Sequence, residues 1–490
     1  MAVAGPMEIP AIVMAGTSPS VNLFLAGPTA PGGVDDFPGD KSYHSAPMRI
    51  FIVGAGEVGF HIASSLSREG HDLVIIEGDR EKVHRLEKSL DVLAVHGDAC
   101  NPQILRSQGI ENADLFFAVT NDDPVNLLSA ITARRLGASR SVVRLGNVFH
   151  QFNPLLQDDP DLVPLYPEQL VAEEILGLTK VPGAIKAHFF GQGRLVLLHA
   201  KPSLDAAIYD QQLKYMNGPD GWVLTGIRRG GELLIPRGDT TLQAGDVLYA
   251  VGRTENVPAF LKSVGVESRP VRRVLIAGGG QVGRALARLL VAERIKVTVI
   301  QRSQERASQV ASQVPEALVL KGDATDPDIL REAGVDEVDY FVAATQSDEN
   351  NIFAALLARE LGAGSTIVLY QKHEFKNVLQ TVQLGVPLSP RLVIAGTILR
   401  MVHGREILSL DLMEEGDAEA VEFEVPKEAR VLERPLKDLR FPRTAIVGAV
   451  MRGDDLFVPV GDFTFREGDR ALVFTLSEAL PALEKMFSYR

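Results

Sequence analysis

Three glycines near residue 55 have the types and spacing that bind the pyrophosphate of a dinucleotide. Gly54, Gly56 and Gly59 follow the apolar run from Ile50 to Val53 and precede residues with helical spacing. In this context the glycines allow a tight turn, close approach of the backbone to phosphate, and close packing of helix on strand. Free N–H groups and the positive end of the helix dipole would hold the phosphates. The predicted contacts in this turn are Gly54, Ala55, Gly56, Glu57, Val58 and Gly59.

An acidic residue follows the turn at the distance typical of a dinucleotide site. Glu77 ends the predicted strand from Leu73 to Ile76. Its carboxylate is placed to accept hydrogen bonds from the ribose hydroxyls, and it would repel a 2′-phosphate. The sequence therefore favours NAD(H) over NADP(H). The alternative is a glycine turn in an empty Rossmann-like domain.

Other candidate contacts follow the later strands of the same unit. Asp98 and Ala99 come after the third predicted strand, where an adenine would lie, and Thr120 ends the fourth strand. Arg144 ends the fifth strand and could reach a phosphate. Asp98 could instead cap the helix that begins near Pro102, and its counterpart further along the chain, Asp323, could cap the helix near Pro327. Both interpretations of Asp98 remain open from the sequence.

The whole pattern recurs once, 224 residues further along the chain at the glycines. Such a period exceeds that of a solenoid repeat and fits a duplicated module of ordinary domain size. The sequence therefore predicts a second nucleotide site. Its candidate residues are Gly278, Gly279, Gly280, Gln281, Val282, Gly283, Gln301, Asp323, Ala324 and Thr345.

The second copy differs at the position that would bind the ribose. Gln301 replaces Glu77, and Arg302 follows it. A glutamine amide can hydrogen-bond a ribose but does not repel phosphate, and the adjacent arginine would attract it. Leu369 also stands where the first copy has Arg144. Three alternatives stay open for this site: a different nucleotide, weak binding of NAD, or no binding.

Apolar strands and helical segments alternate through both copies of the repeat. This alternation predicts a parallel sheet covered by helices on both faces. The fold class is therefore α/β, with two Rossmann-like, doubly wound parallel-sheet domains. Each is followed by a small α+β, β-rich domain, as a tandem duplication. The strands predicted in the first copy are Ile50 to Val53, Leu73 to Ile76, Val92 to Val95, Leu115 to Val119 and Ser141 to Leu145.

The smaller β-rich units carry matching Gly-Asp pairs. Gly245-Asp246 of the first copy corresponds to Gly468-Asp469 of the second. Hairpin-turn chemistry is the simplest interpretation, with a small regulatory ligand as the alternative. The predicted boundaries are 1–47 for a disordered N-terminal extension, 48–165 and 272–388 for the Rossmann-like domains, 166–190 and 389–408 for crossover helical linkers, and 191–265 and 409–490 for the β-rich domains.

Composition narrows the classes of function. The net charge of -13 opposes non-specific binding to nucleic acid. The single cysteine, Cys100, excludes an internal disulfide framework and fits a reducing cytoplasm. No apolar run in the sequence approaches the roughly 18 residues that would span a bilayer. No spacing of His or Cys is typical of a metal site.

In combination these motifs resemble the double-repeat form of the RCK (regulator of K⁺ conductance) family, also described as the KTN NAD-binding family. The resemblance covers about residues 48–487. It departs from the family pattern at Gln301, where the family has an acidic residue. The motifs that carry it are the glycine turn with Glu77, Gly97-Asp98-Ala99, the run from Ala118 to Asp123, Pro167-Glu168-Gln169-Leu170, and the Gly-Asp turns.

The resemblance implies a regulatory role without catalysis. Members of that family are cytoplasmic subunits, peripheral on the cytoplasmic face of the inner membrane. They assemble as homo-oligomers, a dimer or a tetrameric ring, beneath a Trk-type integral membrane potassium transporter subunit. They bind NAD(H) and adenine nucleotides such as ATP and ADP, and they alter potassium flux.

Two alternatives differ from this expectation. The first is an NAD-dependent oxidoreductase, but the sequence offers no catalytic acid or base beside the nucleotide turn. The second is a soluble NAD redox sensor for a partner unrelated to transport. Hydride transfer from NADH would favour the first alternative, and co-purification with a multi-span membrane protein would argue against the second.

Overall fold

The computed structural model describes residues 48–487, except residues 69, 147–149, 151–152, 191–192, 205, 207, 216–220, 373, 383, 404–406, 410–417 and 454. The extension predicted for residues 1–47 lies outside this description. The described chain alternates two α/β units with two β-rich units. This order confirms the predicted fold class.

The first α/β unit is built on a six-stranded parallel sheet. Its elements are β1 (Arg49–Val53), α1 (Glu57–Arg68), β2 (Asp72–Glu77), α2 (Arg80–Ser89), β3 (Leu93–His96), α3 (Pro102–Ser107), β4 (Leu115–Ala118), α4 (Asp123–Leu136), β5 (Arg140–Arg144), α5 (Pro154–Gln157), β6 (Leu162–Leu165) and α6 (Pro167–Lys180). The strand order is β3-β2-β1-β4-β5-β6, and it reverses between β1 and β4. The sixth strand extends the sheet beyond the five that the sequence predicts.

Local sequence explains how these elements form. Strand β1 is apolar on both faces because helices cover both faces of a parallel sheet. Ile52 is buried in the core on one side of the sheet, and Phe51 is buried in the core on the other. Helix α4 begins after Asp122, whose side chain accepts the Val125 N–H, and ends at Gly137 in the left-handed conformation.

The first β-rich unit is a five-stranded antiparallel sheet with order β10-β9-β11-β8-β7. Its elements are β7 (Lys186–Phe190), β8 (Leu195–Ala200), β9 (Trp222–Arg229), β10 (Glu232–Leu234), β11 (Val247–Arg253) and α7 (Val257–Ser263).

The second repeat has the same plan. Its parallel sheet has order β14-β13-β12-β15-β16-β17, and its antiparallel sheet has order β18-β19-β22-β20-β21. The elements are β12 (Arg273–Ala277), α8 (Gln281–Ala292), β13 (Lys296–Gln301), α9 (Gln304–Gln313), β14 (Leu318–Lys321), α10 (Pro327–Glu332), β15 (Tyr340–Ala343), α11 (Asp348–Glu360), β16 (Ser365–Leu369), α12 (Glu374–Thr381), β17 (Val386–Leu388), α13 (Pro390–His403), β18 (Ile407–Ser409), β19 (Ala418–Glu424), β20 (Ala445–Arg452), β21 (Asp455–Phe457), β22 (Arg470–Leu476) and α14 (Leu480–Phe487).

The Gly-Asp turns of the β-rich units are closed by buried ion pairs. Asp246 is almost fully buried. Its two oxygens accept hydrogen bonds from Nε and Nη2 of Arg229 at 2.9 and 2.8 Å. In the second copy, Asp469 accepts hydrogen bonds from Nε and Nη2 of Arg452 at 2.8 Å each. Each aspartate also accepts a backbone N–H from the start of its own turn. These contacts support the structural interpretation of the turns.

The crossover helices are exchanged between the repeats. Helix α6 of the first repeat packs against α8 of the second, and α13 of the second packs against α1 of the first. Ile175 of α6 is fully buried in the core of the second α/β unit, and Ile398 of α13 is fully buried in the core of the first. Each α/β core is therefore completed by the other repeat.

The β-rich units also share one core. Residues of both sheets, among them Leu197 of β8 and Ala449 of β20, belong to a single apolar cluster. The rings of Tyr249 and Phe474 meet there with centroids 5.8 Å apart. The two repeats thus contact each other both through their crossover helices and through their antiparallel sheets.

Candidate nucleotide sites

A cleft of about 350 Å³ opens at the carboxyl ends of the strands in the first α/β unit. It lies where the strand order reverses, which is the position at which doubly wound sheets bind ligands. The predicted residues that it brings together are Gly54, Glu77, Asp98, Ala99 and Thr120. The other lining residues are Val53, Ile76, Gly78, His96, Gly97 and Val125.

Each of the three glycines in the first turn has a different geometric role. Gly54 has φ +98°, and a Cβ there would lie 2.9 Å from Cγ2 of Thr120. A Cβ on Gly59 would overlap the carbonyl oxygen of Gly54, so helix α1 could not pack against the turn. A Cβ on Gly56 would meet no atom within 4 Å. The backbone at Gly56 is therefore open to an incoming group.

Glu77 is fixed by the backbone around it. Its Oε2 accepts the Ala55 N–H at 2.6 Å, and its Oε1 accepts the Asp79 N–H at 3.0 Å. Nζ of Lys82 lies 4.0 Å from Oε2. Only 12% of the side chain is exposed. The carboxylate thus connects the glycine turn to the end of β2 and holds the shape of the cleft.

Asp98 forms a local turn rather than a helix cap. Its Oδ1 accepts the Cys100 N–H at 2.8 Å. The cap of α3 is Asn101, whose side chain accepts the Gln103 N–H. The second repeat behaves in the same way, because Asp326 caps α10. The cap interpretation of Asp98 is therefore wrong, and Asp323 likewise does not cap α10. Ala99, which follows Asp98, is buried in the core.

Thr120 is held by an asparagine that sequence reasoning missed. The Thr120 N–H and hydroxyl donate to Oδ1 of Asn126 at 2.9 and 2.7 Å. Nδ2 of Asn126 donates to the carbonyls of Thr120 and Arg144 at 3.0 and 2.9 Å. Asn126 is fully buried. Its equivalent Asn351 binds Thr345 in the same way, so the shared spacing in both copies was the available signal.

Arg144 lies beside the cleft and contacts its rim. Its Nη1 donates to the Thr120 carbonyl at 3.3 Å and to Oδ1 of Asn121 at 2.8 Å. Burial lowers the pKa of Arg144, and the nearby carboxylates of Glu168 and Asp123 oppose that effect. Burial raises the pKa of Glu168, which stands at the start of α6. The sequence quoted Glu168 only as part of a motif, and its position close to Arg144 depends on the tertiary fold.

The second glycine turn repeats the first with one difference. Gly278 has φ +113°, a Cβ on Gly283 would overlap the Gly278 carbonyl oxygen, and Gly280 faces open space. Gly279 replaces Ala55, and a Cβ there would lie 2.7 Å from Cγ2 of Val310. The second turn is therefore more crowded at this position than the first.

The polar groups of the second site are arranged differently. Oε1 of Gln301 accepts the Ser303 N–H at 3.2 Å. Nη2 of Arg302 pairs with Oδ2 of Asp323 at 3.0 Å, which places the arginine next to the loop that carries Ala324. Although burial acts in the opposite direction, hydrogen bonds from Thr325 and the charge of Arg302 lower the pKa of Asp323. Arg302 is thus already paired, whereas the first repeat has Gly78 at the equivalent position.

The first residues of α1 and α8 lie at the boundary between the repeats. Oε2 of Glu57 pairs with Nη1 of Arg391, on α13, at 2.8 Å. Val58 beside it is buried in the first core. Gln281 and Val282 are the equivalents in α8, and Val282 packs against the second core. Both predicted phosphate turns are therefore next to an exchanged crossover helix.

Other chemistry has little support in the described part of the chain. Burial and the nearby carboxylates Asp98 and Asp122 raise the pKa of Cys100, so its thiolate form is disfavoured. No group of three or more His, Cys, Asp or Glu side chains among the described residues could hold a metal ion. No helix within the described ranges is long and apolar enough to cross a membrane.

Comparisons with known proteins agree with the duplicated architecture. The TrkA-N domain model matches residues 50–149 and 274–390, and the TrkA-C domain model matches residues 211–265 and 420–488. A Trk system potassium uptake protein TrkA homolog of Archaeoglobus fulgidus is 35% identical over 444 residues, which cover 90% of this chain and 100% of that protein. The Trk system potassium uptake protein TrkA of Halomonas elongata is 29% identical, covering 90% of this chain and 98% of that protein.

Solved structures share the fold over most of the chain. The crystal structure of the GsuK RCK domain matches with a TM-score of 0.57 and 19% identity, over 91% of this chain and 96% of that one. The structure of the GsuK channel bound to NAD matches with a TM-score of 0.57 and 19% identity, over 91% of this chain and 79% of that one. At this identity the likeness shows the fold alone.

Proposed function

The chain belongs to the family of the Trk system potassium uptake protein TrkA, and from that premise we propose that it is a nucleotide-sensing regulatory subunit of potassium transport. In this proposal the chain binds NAD(H) in the first repeat and changes potassium flux through a separate Trk-type membrane subunit. Bound NADH acts as a signal and is not turned over.

The observation that carries the proposal is the first cleft. It contains the fixed carboxylate of Glu77 at the reversal of strand order, and it adjoins the glycine turn, whose backbone is open at Gly56. Helix α1 is 12 residues long and begins at the turn, so its N–H groups and dipole favour phosphate there. The carboxylate favours ribose hydroxyls over a 2′-phosphate. The GsuK channel, which shares this fold, has been solved bound to NAD, and we propose the same ligand class for this chain.

The exchanged helices supply a route from ligand to partner. A ligand shifts a conformational equilibrium only through its different affinities for the two states. In this chain the first phosphate turn touches α13 of the second repeat through Glu57 and Arg391. We propose that a nucleotide in the first cleft changes this contact and so the angle between the α/β units. In an oligomeric ring beneath the membrane subunit, these changes would add together.

The two sites have different roles in this proposal. The first site binds NAD(H), with ATP and ADP as competing adenine nucleotides. The second site has Gln301 in place of the acid, and its Arg302 is paired with Asp323. We propose that the second site binds NAD(H) more weakly than the first.

Calorimetric titration of the full chain tests the first site. NADH, NAD⁺, ATP and ADP are each titrated into the unmodified chain and the Glu77→Ala variant. We expect Glu77→Ala to weaken NADH binding at least about tenfold, because it removes the ribose acceptor and an anchor of the glycine turn. Asp72→Ala is the matched control, since Asp72 is an exposed acid at the other end of β2.

The outcomes separate the proposal from its alternatives. The same samples are assayed for hydride transfer from NADH to a panel of carbonyl substrates. Binding that Glu77→Ala weakens and Asp72→Ala leaves unchanged, without turnover, supports the regulatory function. A folded chain that binds none of the four nucleotides would contradict it, and catalytic oxidation of NADH would favour an oxidoreductase.

A further inference from the structure

An ion pair between the repeats lies at the start of the first phosphate turn. Glu57 is the first residue of α1 and directly follows Gly56, whose backbone is open. Its Oε2 lies 2.8 Å from Nη1 of Arg391, the second residue of α13. The negative group therefore belongs to the first repeat, and the positive group that neutralises it belongs to the second.

The core of the first α/β unit fixes the position of Arg391. Ile394, Ala395 and Ile398 of the same helix are buried among residues of β1 and α1. The Arg391 side chain is 21% exposed, whereas that of Glu57 is 66% exposed. The guanidinium is thus held by a packed helix, and the carboxylate is the more accessible partner.

A carboxylate at this position works against the site. The first residues of a helix that follows a glycine turn are where nucleotide phosphates lie, and a negative side chain there repels them. Because Glu57 is paired with Arg391, its charge is largely cancelled at short range. Without the arginine, the turn would present an unpaired negative charge to an anionic ligand.

The second repeat does not reproduce this pair. Gln281 stands at the position of Glu57, and Glu168 stands at the position of Arg391. Helix α6, which carries Glu168, packs on α8, which begins at Gln281. The carboxyl group of Glu168 lies close to Arg144 of the first α/β unit, whereas the guanidinium of Arg391 pairs with Glu57 at the first turn. Electrostatically, the two turns are not equivalent.

We propose that Arg391 is a positioning residue of the first nucleotide site: it neutralises Glu57 and so allows this turn to accept the phosphates of a nucleotide. The inference rests on the proposed function, since it assigns a regulator to the same site. It also makes nucleotide affinity in the first repeat depend on how α13 of the second repeat is seated. Movement of α13 away from α1 would expose the Glu57 charge and weaken binding.

Opposite effects of the two partners distinguish this role from a merely structural one. If the ion pair only held the helices together, Glu57→Gln and Arg391→Gln would affect binding in the same direction. In the electrostatic role, Arg391→Gln leaves a repelling carboxylate, whereas Glu57→Gln leaves an unpaired guanidinium near the phosphates. The first change lowers nucleotide affinity, and the second raises it.

The test is titration of NADH and ATP into the full-length unmodified chain and its variants. One nucleotide is chosen for the comparison, namely the one whose binding Glu77→Ala weakens. We expect Arg391→Gln to weaken the binding of this nucleotide about tenfold, or about 1.4 kcal/mol. Glu57→Gln should strengthen it, and the double variant should return close to the unmodified chain. Arg391→Lys, which keeps the charge, should bind almost normally.

A matched control exists at the other end of a crossover helix. Nζ of Lys180, at the end of α6, pairs with Oε1 of Glu293 at 3.0 Å, so this is also an ion pair between the repeats. Lys180→Gln should leave nucleotide affinity unchanged. Circular dichroism melts verify that each variant is folded.

Each result then has one meaning. Unchanged affinity in folded Arg391→Gln, weaker binding in both single variants, or a double variant as weak as Arg391→Gln would each overturn the inference. In all three cases the unmodified chain still binds nucleotide and the proposed function stands. Absence of binding by the unmodified chain would contradict the proposed function itself.

Discussion

Both oxygens of the Glu77 carboxylate accept backbone N–H groups, from Ala55 and Asp79. Each carboxylate oxygen has two lone-pair directions, so acceptor positions remain for ribose hydroxyls. Thr120 lines the cleft, and its hydroxyl donates to Asn126. Single polar residues therefore shape the site as well as line it, and a substitution at them changes both stability and binding.

Asn126 is the residue at which this double role is easiest to measure. Asn126→Ala removes four hydrogen bonds and leaves the Thr120 N–H and the Arg144 carbonyl without this partner. Because buried unpaired polar groups are costly, we expect the free energy of unfolding to fall by about 3 kcal/mol. Urea denaturation followed by circular dichroism measures this change.

The comparison variant is Asn101→Ala, which removes an exposed helix cap from the same unit. It should cost only about 1 kcal/mol. Equal losses in the two variants would show that the buried asparagine does not hold Thr120 more strongly than an ordinary cap holds a helix.

Glu168 gives a pH dependence with a definite sign. Burial raises its pKa above the ordinary value of 4.5. Its contribution to stability is thus complete below that ordinary pKa and is lost as the pH rises through the raised value. Glu168→Gln removes this ionisation, so it should raise the melting temperature near pH 8 relative to the unmodified chain, with no gain near pH 4.

Melting curves across this pH range, with exposed Glu111→Gln as the control, measure the effect. A Glu168→Gln variant that melts lower than the unmodified chain near pH 8 would mean that the nearby charge of Arg144 outweighs the cost of burying the carboxylate.

At the scale of elements, the crossover helices matter most. Helix α13 contributes Ile394, Ala395 and Ile398 to the core of the first α/β unit, and α6 contributes an equivalent set to the second. Each α/β unit is therefore stabilised by a helix that is distant in sequence. The two crossover helices also pack against each other, so the α/β units meet through them.

The exchanged packing predicts which repeat is destabilised by a core mutation in a crossover helix. Ile398→Ala removes a fully buried side chain and should cost about 3 kcal/mol. We expect amide hydrogen exchange to accelerate in β1 and α1, more than 300 residues away in sequence. Ile175→Ala should produce the mirror effect in β12 and α8. Faster exchange confined to the repeat that carries the mutation would contradict the exchanged packing.

Local parts of this architecture could be predicted from the sequence, and the non-local parts could not. Strand β1 and the turn at Gly54 follow from apolar runs and glycine spacing, which are properties of adjacent residues. The hydrogen bonds from Asn126 to Thr120 could not be predicted, because a buried asparagine resembles any polar helical residue until its partners are known. The ion pair of Glu57 with Arg391 joins positions 334 residues apart, and no periodicity indicates it.

At the scale of the whole molecule, the two repeats are joined at two places. Their crossover helices complete each other's α/β cores, and their antiparallel sheets form one shared core. A single repeat would leave both surfaces uncovered, namely the apolar face of α6 and the sheet face around Tyr249. Large exposed apolar surfaces of this kind are covered by association or cause aggregation.

The duplication therefore predicts how one repeat behaves alone. Residues 48–266 should associate as a homodimer in which each α6 packs on the partner's α1, because α1 and α8 occupy equivalent positions. Size-exclusion chromatography with light scattering measures the mass, and Ile175→Glu in the same fragment should prevent the dimer by placing a charge in its buried helix face. A stable monomer of the unmodified fragment would contradict this account. It would mean that the first repeat does not need the second to cover its apolar helix and sheet faces.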